Sequence, residues 1–566
     1  MIAIFASACS NGSETAGDAE IIFKNAKVYT VEESQPWADA VAIADGKIIA
    51  VGDMAAVEKT LNDETQIVDL QGRLLMPAFG DSHVHPVFGG IAFSRCSLHK
   101  GESIEDYQEI ITGCVADSPG DETVYGVGWE DSLFPPNGVP NKEILDQIST
   151  DRVLIFESAG GHTYWVNSKA LEVAGIDKDT PDPENGIIDR DQETGEPVGG
   201  LQESAMKLVG HMVPEPSDKE MQDSILYVAN MFNSLGITSW HDAGIDLDVD
   251  GNSKTLSAYK EVIDRGDLTA HVSLAFKWDN AQELEQIPVI LEAVAGAKSW
   301  GLQADSVKFY LDGVIPQRTA AMIEPYEGAG DIRGEVQIEP EVLSKAVANL
   351  QESGIQSHVH AIGDRGVRVA LDAFDYAKSE TGAIDRPLIS HLNVIDPADQ
   401  ERFGPIGAIA VFQPTWASNY PYMDLTKQAI GPIRSEYIYP SKGVLNYGGM
   451  IAFGGDWPVA TADPLLGLEV AVTRTNFDDP DSGPLLAEQA ITLEQAIEAH
   501  TLNVAYANNL DKITGSIAPG KSADLIVLDS DIFEMPAADI SEANVILTLF
   551  KGRPVHGKIE QFNESE

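Results

Sequence analysis

The sequence is short of three things. Cysteine occurs only three times in 566 residues, as Cys9, Cys96 and Cys114. That number supplies no disulfide framework and no Cys-x-x-Cys zinc site. Basic residues are scarce, 37 Lys and Arg against 89 Asp and Glu, for a net charge of −52. Nucleic acid and anionic membranes demand positive charge, so neither is an expected partner. The acids are spread along the chain, which reads as a solvated, mutually repulsive surface. Long apolar runs are also missing: none approaches the ~20 residues of a membrane span. There is no internal repeat and no low-complexity tract. What is plentiful is apolar residue, 43%, enough for a large core, in a chain longer than one minimal domain.

The first residues, Met1-Ile-Ala-Ile-Phe-Ala-Ser-Ala-Cys9-Ser-Asn-Gly, lead into a polar stretch ending near Ala19. A small-residue run ending in Cys resembles a bacterial lipoprotein processing site, with Cys9 as the lipidated residue and residues 1–19 as a leader. It lacks the basic n-region of such leaders. The expectation is an exported chain, periplasmic or anchored through Cys9; a cytoplasmic protein is the alternative if the match is accidental.

From about residue 20 to 75, short runs alternate apolar and polar residues, and Asp45-Gly46 between two of them is a hairpin signal. Residues 505–560 look alike, so the ends are expected to form a composite β-sandwich. Between them, residues 76–504 carry eight strand-like runs: Met76–His83, Ile237–Asp242, His271–Phe276, Ser306–Leu311, Gln356–His360, Pro387–His391, Ile409–Gln413 and Ile451–Asp456. Helical patterns separate most of them, and alternating β and α points to a parallel sheet. Eight units predict an α/β fold, a (β/α)8 barrel of the TIM type. The gap after the first run is too long for one helix and predicts an inserted subdomain over about 90–230.

The chemistry-bearing residues fall at the ends of these runs. His83 and His85 are two apart on a strand, so both imidazoles face one side and can chelate one metal. Lys308 is a mid-strand cation, which a barrel interior disfavours unless it is paired or modified. It is either a salt-bridge partner of an inward acid such as Asp312 or, as a neutral amine, a site for carbon dioxide to form a metal-binding carbamate. His358 and His360 repeat the His-x-His pattern. His360, at the strand-to-helix turn, is the expected ligand, and His358 is a packed or ligand-supporting residue. His391 ends the sixth run. Asp456 ends the eighth and serves as ligand and general base, or as a helix N-cap. Zinc, one ion or two, is the default, and manganese or iron(II) also suits carbamate and carboxylate oxygens.

These segments, with Gly161-His-Thr-Tyr-Trp-Val-Asn-Ser-Lys-Ala-Leu171, Gly199-Gly-Leu-Gln-Glu203, Gly236-Ile-Thr-Ser-Trp-His-Asp242, Lys308-Phe-Tyr-Leu-Asp-Gly313, Gln413-Pro414 and Gly515–Leu528, resemble the amidohydrolase superfamily. The branch is that of the family-3 amidohydrolases, which includes N-substituted formamide deformylases, and the resemblance spans about Ile21 to Gly557. It implies that His83 and His85 hold a buried metal, that His360 and His391 hold an outer one, and that carboxylated Lys308 bridges them, with Asp456 as base. It also implies that His162 orients the substrate carbonyl. His241, at the mouth, and Glu203, in the insertion, are further substrate-side candidates. Val314-Ile-Pro-Gln before Arg318-Thr-Ala departs from the usual pattern in a loop expected to border the substrate, so Arg318 is a substrate candidate on a divergent loop. Trp165, Trp240, Trp416 and Trp457 supply either a pocket wall or core packing.

The expected activity is hydrolysis of an amide-like, non-peptide C–N bond in a small molecule by metal-activated water. Alternatives are a mononuclear deaminase of an aromatic amine, a peptidase or esterase on the same scaffold, and, outside enzymes, a binding protein with a vestigial site. A homo-oligomer is compatible with the sequence.

Overall fold

The structure, a computed structural model, describes residues 17–118, 120–135 and 138–562. Cys9 and most of the leader lie outside the described residues. No helix among those described is long and apolar enough to cross a membrane.

Eight parallel strands form the central sheet. They are β1 (Phe79–Val84), β2 (Ile237–Ile245), β3 (His271–Lys277), β4 (Gln303–Tyr310), β5 (Gln356–Ala361), β6 (Leu388–His391), β7 (Ile409–Phe412) and β8 (Met450–Phe453). Each expected run is found, with ends moved by a few residues. The strands are rich in Ile, Val, Phe and Ala because helices cover the outside of the sheet, and parallel strands are then buried on both faces. β1, β5, β6 and β7 are buried along their full length. Amphipathic helices such as Pro340–Glu352 and Asp364–Thr381 present Leu343, Val347, Leu350, Leu371 and Phe374 to the barrel.

β1 and β8 close the barrel. The Ser82 hydroxyl donates to the Phe453 carbonyl at 2.8 Å, and the Asp456 amide donates to the His83 carbonyl at 2.8 Å. Gly454 permits this approach: a Cβ there would sit 2.9 Å from the His83 Cβ.

The terminal segments form two stacked sheets. One has four strands, all from residues 21–69; the other has six and mixes the two ends. In the mixed sheet Leu74–Pro77 pairs with Leu525–Leu528, so Met76 and Pro77 belong to the sandwich and the first barrel strand begins at Phe79. Phe23, Val41 and Ile43 from one sheet pack against Leu75, Leu525, Val527 and Leu547 from the other. The Asp45-Gly46 hairpin is present, with both residues at positive φ, 49° and 72°, as a type I′ turn requires.

The insertion after β1 builds its own six-stranded mixed sheet between Cys96 and Glu203. Trp129, Phe134, Phe156 and Trp165 fill one side of it. A disulfide joins Cys96 to Cys114, 18 residues apart, a single cross-link and not a framework. The bond links the edge strand Cys96–Ser97 to helix Ile104–Asp117, a proximity that depends on how the helix folds back. Peptide mapping without reductant is expected to recover Cys96 and Cys114 as one cross-linked pair. Cys114→Ser should lower unfolding stability by about 2–4 kcal/mol, read by denaturant titration.

Candidate metal centre

The expected ligands come from five different strand ends and meet at one end of the barrel. His83 lies within β1 and His85 just beyond it. The Nε2 atoms of His83 and His85 are 3.2 and 3.3 Å from Asp456 Oδ1, and the three residues form a group able to hold a metal ion. His391, at the end of β6, places Nδ1 3.7 Å from the other oxygen of Asp456. The His360 and His391 rings are 4.4 Å apart, and the His83 and His391 rings 4.7 Å. Lys308, fully buried on β4, has its Nζ 3.2 Å from His83 Nε2.

The protonation states suit a cation. Burial, followed by the Lys308 charge, holds His83 well below its ordinary value. Burial first, then charged neighbours, does the same to His360 and His391. Neutral imidazoles are what a metal requires. Burial alone would push Asp456 up, but His85 and His391 outweigh it, and the net shift is downward. Burial brings the Lys308 amine down to about 7. Two buried polar atoms of the centre, His360 Nε2 and Asp456 Oδ1, lack a hydrogen-bond partner among the described residues. Such orphans are costly in a folded interior unless something else engages them. The donor set therefore fits a divalent cation.

Some of the chain's positive-φ residues fall at or near the centre. His391 and Asp456 adopt φ of 82° and 53°, and Glu203 and Arg318 adopt 51° and 64°. Each such non-glycine residue costs about 1–3 kcal/mol. Asp456 precedes no helix, so the N-cap reading of this residue does not hold.

Several supporting residues escaped the sequence reading. Asp81, 1% exposed, accepts from the His83 amide through Oδ1 at 2.9 Å and from the Gly455 amide through Oδ2 at 2.8 Å. The His83 Nδ1 lies 2.9 Å from His358 Nε2 and 3.0 Å from Ser390 Oγ. His358 is thus a buried residue that orients His83. Gln413 Oε1 is 3.2 Å from His391 Nδ1. Asp312 accepts from the amides of Ile362, Gly363 and Ala321, so it anchors backbone and is no salt-bridge partner of Lys308. Position within the first, sixth and seventh strand-like runs was the available signal for Asp81, Ser390 and Gln413.

His162 reaches the site from the insertion, its ring 5.5 Å from that of His360. Its Nδ1 is 3.0 Å from Glu203 Oε2, and Glu203 Oε1 accepts from the Thr319 hydroxyl at 2.9 Å. Burial pulls His162 down, Glu203 more than reverses this, and the net shift is upward. His241 is not at the mouth. It is fully buried beside His358, ring to ring 5.0 Å, and burial takes its pKa to about 3. Arg318 is exposed on the loop after β4. Trp165 and Trp240 are core residues. Trp457 is buried against Phe93 and Phe232, and half-buried Trp416 stacks on His391 at 6.0 Å.

A model of the amidohydrolase family matches residues 66–556. The chain is 28% identical over 549 residues to Protein LONG AFTER FAR-RED 3 of Arabidopsis thaliana, covering 95% of this chain and 92% of that protein. It is 22% identical over 543 residues to the N-substituted formamide deformylase of Arthrobacter pascens, covering 94% and 97%. The solved structure of a metal-dependent hydrolase from Pyrococcus horikoshii shares the fold with a TM-score of 0.70 at 23% identity, over 91% of this chain and 99% of that one.

Asp81→Ala removes the acceptor for two buried amides. It is expected to destabilise the protein by about 2–4 kcal/mol and to lower metal retention, read by thermal unfolding and by metal analysis after dialysis.

Proposed function

The chain belongs to the amidohydrolase family, and from that premise we propose that this metal-dependent hydrolase cleaves an amide-like C–N bond of a small molecule. The observation that carries the reading is the convergence of His83, His85 and Asp456, with orphaned Asp456 Oδ1 between the two imidazoles. The amide-like bond is supported by the full-length similarity to the Arthrobacter pascens deformylase.

In this proposal His83, His85 and Asp456 would hold one divalent ion, and His360 and His391 a second, with zinc as the default. Lys308 would carry the bridging carbamate: its amine, brought down to about 7 by burial, keeps an unprotonated fraction near neutrality. The bound metal supplies Lewis acidity, polarising the carbonyl and acidifying water. The rest falls to the chain's own residues. Asp456, held as the ionised carboxylate, takes a proton from the attacking water. As the water oxygen bonds to the carbonyl carbon and the C–N bond breaks, that proton passes to the leaving nitrogen. His162, fixed through Nδ1 by Glu203, keeps its ring protonated more readily than a free histidine. It donates to the carbonyl oxygen as negative charge develops there.

Export is part of the same proposal. Disulfides persist in oxidising compartments, so the Cys96–Cys114 bond supports the leader reading of residues 1–19. Trapping the thiols of freshly lysed cells with an alkylating agent tests it: alkylated Cys96 and Cys114 would sink the idea.

Stripping metal with a chelator is expected to abolish turnover of a formamide and amide panel, and zinc or manganese to restore it. Asp456→Asn should lower kcat by about 10²–10⁴-fold, with metal content measured alongside to separate proton transfer from ligation. Lys308 is tested separately by carbon-13 NMR after labelled bicarbonate exchange; absence of a carbamate signal in the metal-loaded protein would remove the bridging role.

A further inference from the structure

One buried carboxylate plays no part in this mechanism. Asp131 opens a short turn, Asp131–Leu133, directly after the insertion strand Val124–Trp129. It is 8% exposed, and its Oδ1 has no hydrogen-bond partner among the described residues. Burial, then neighbouring Glu130, pushes its carboxyl up to about 7, and the one charge shown favouring its ionised form is His162. A buried acid without a basic partner is unfavourable in the free protein. It becomes favourable when a cation arrives.

The surroundings suit such a cation. Gln317, on the divergent loop after β4, sits beside Asp131: a Cβ built on Gly138 would lie 3.0 Å from Asp131 Cβ and 3.4 Å from Gln317 Nε2. Gln317 lies close enough to favour the ionised Asp131 carboxylate, and both of its amide atoms are buried and lack a full hydrogen bond among the described residues. Tyr420 and Tyr422 stand at the start of helix Pro421–Arg434, which packs against the Asp131 turn. Their rings are nearly parallel, 12° apart at 6.1 Å. Both are half-buried, yet burial first, and then Glu130 for Tyr420 or Asp131 for Tyr422, pushes the phenols up. Both rings are thus partly open to solvent on a helix that packs against the Asp131 turn, and Tyr420 also packs on the barrel core. A carboxylate close to tyrosine side chains is chemistry that suits an organic ammonium. The cluster is tied to the reaction centre by a short path: Gln317 is two residues from Thr319, which bonds Glu203, which holds His162.

We propose that Asp131, with Gln317, Tyr420 and Tyr422, forms a recognition pocket for a positively charged nitrogen that the substrate carries away from its scissile bond. This rests on the reading that the neighbouring centre hydrolyses a small-molecule amide. Asp131 is then the residue that selects cationic over neutral substrates.

Titration calorimetry of the metal-loaded protein with benzylammonium and with benzyl alcohol, nearly the same shape with and without the charge, tests the pocket without any turnover. Benzylammonium is expected to bind at least about tenfold more tightly, the scale of a charge-assisted hydrogen bond. Asp131→Asn should erase that preference while leaving benzyl alcohol binding in place. Equal binding of the two probes by the unmodified protein, or a preference that survives Asp131→Asn, overturns the proposal. Should that variant fail to fold, Tyr422→Leu keeps the carboxylate and is expected to weaken benzylammonium binding alone; unchanged binding overturns the proposal equally. A charge preference without hydrolysis of any amide would remove the hydrolytic reading and keep the pocket. Hydrolysis with equal kcat/KM on matched cationic and neutral amides, and no charge preference, would do the reverse.

Discussion

The Asp81 carboxylate sits where the barrel's first strand meets its last, and the rest of the site depends on it. β1 and β8 are the two ends of the strand order. They join through a few specific bonds, from the Gly455 amide to Asp81, from the Asp456 amide to the His83 carbonyl, and from Ser82 to Phe453. Burial pushes the Asp81 carboxyl up to about 7, even though the amides of His83 and Gly455 work against it. One side chain therefore sets the offset between the strand carrying His83 and His85 and the turn carrying Asp456. Because Asp456 must stand within about 3 Å of both imidazoles, a shift of this junction by one residue would dissolve the trio. That sensitivity explains why a buried acid is tolerated here at all.

The strained residues belong to the same account. His391 and Asp456 hold left-handed backbone conformations, and Gly454 brings the β8 chain close enough to touch the His83 Cβ. Around them, four imidazoles and a lysine share a buried volume in which burial holds His83, His358, His360 and His391 well below the ordinary histidine value. In a chain with a net charge of −52, this pocket of unprotonated nitrogen is the opposite of the surface. Repulsive acids on the outside cost little in water, but orphaned nitrogen and oxygen inside are costly unless a cation completes them. The large barrel core supplies the stability that offsets this arrangement.

How much was legible in the sequence follows from what each feature depends on. The His83/His85 pair was legible because side chains on a strand repeat every second residue, so both had to face the same side. The eight strands were legible because apolar runs alternate with helical patterns. The depth of His241 was not legible: whether an inward residue lies at the mouth or a layer below depends on the stagger of neighbouring strands, a property of the closed barrel and not of one segment. Ser390 and Gln413 escaped for a similar reason, since a hydroxyl or an amide gains meaning only from the imidazole opposite it. Cys96 and Cys114 escaped because 18 residues of spacing do not say whether a helix folds back on its preceding strand.

The architecture divides chemistry from recognition. The ligand cluster is built on barrel strands, whose ends are fixed by hydrogen-bonded neighbours and by a packed core. In the proposed function recognition falls to the insertion and to the loop after β4 that carries Val314–Gln317, while Lys308 stays on the strand itself. A reaction class can therefore be inherited with the barrel while the substrate changes with the loops, which is the general relation between fold and function. The two parts remain coupled at one point. Glu203 belongs to the insertion sheet, bonds Thr319 of the barrel loop and orients His162 toward the His360 side of the centre. In the proposed reaction a substrate gripped by the insertion would be positioned by the same residues that stabilise charge at its carbonyl, and recognition remote from the scissile bond would be converted into alignment at it.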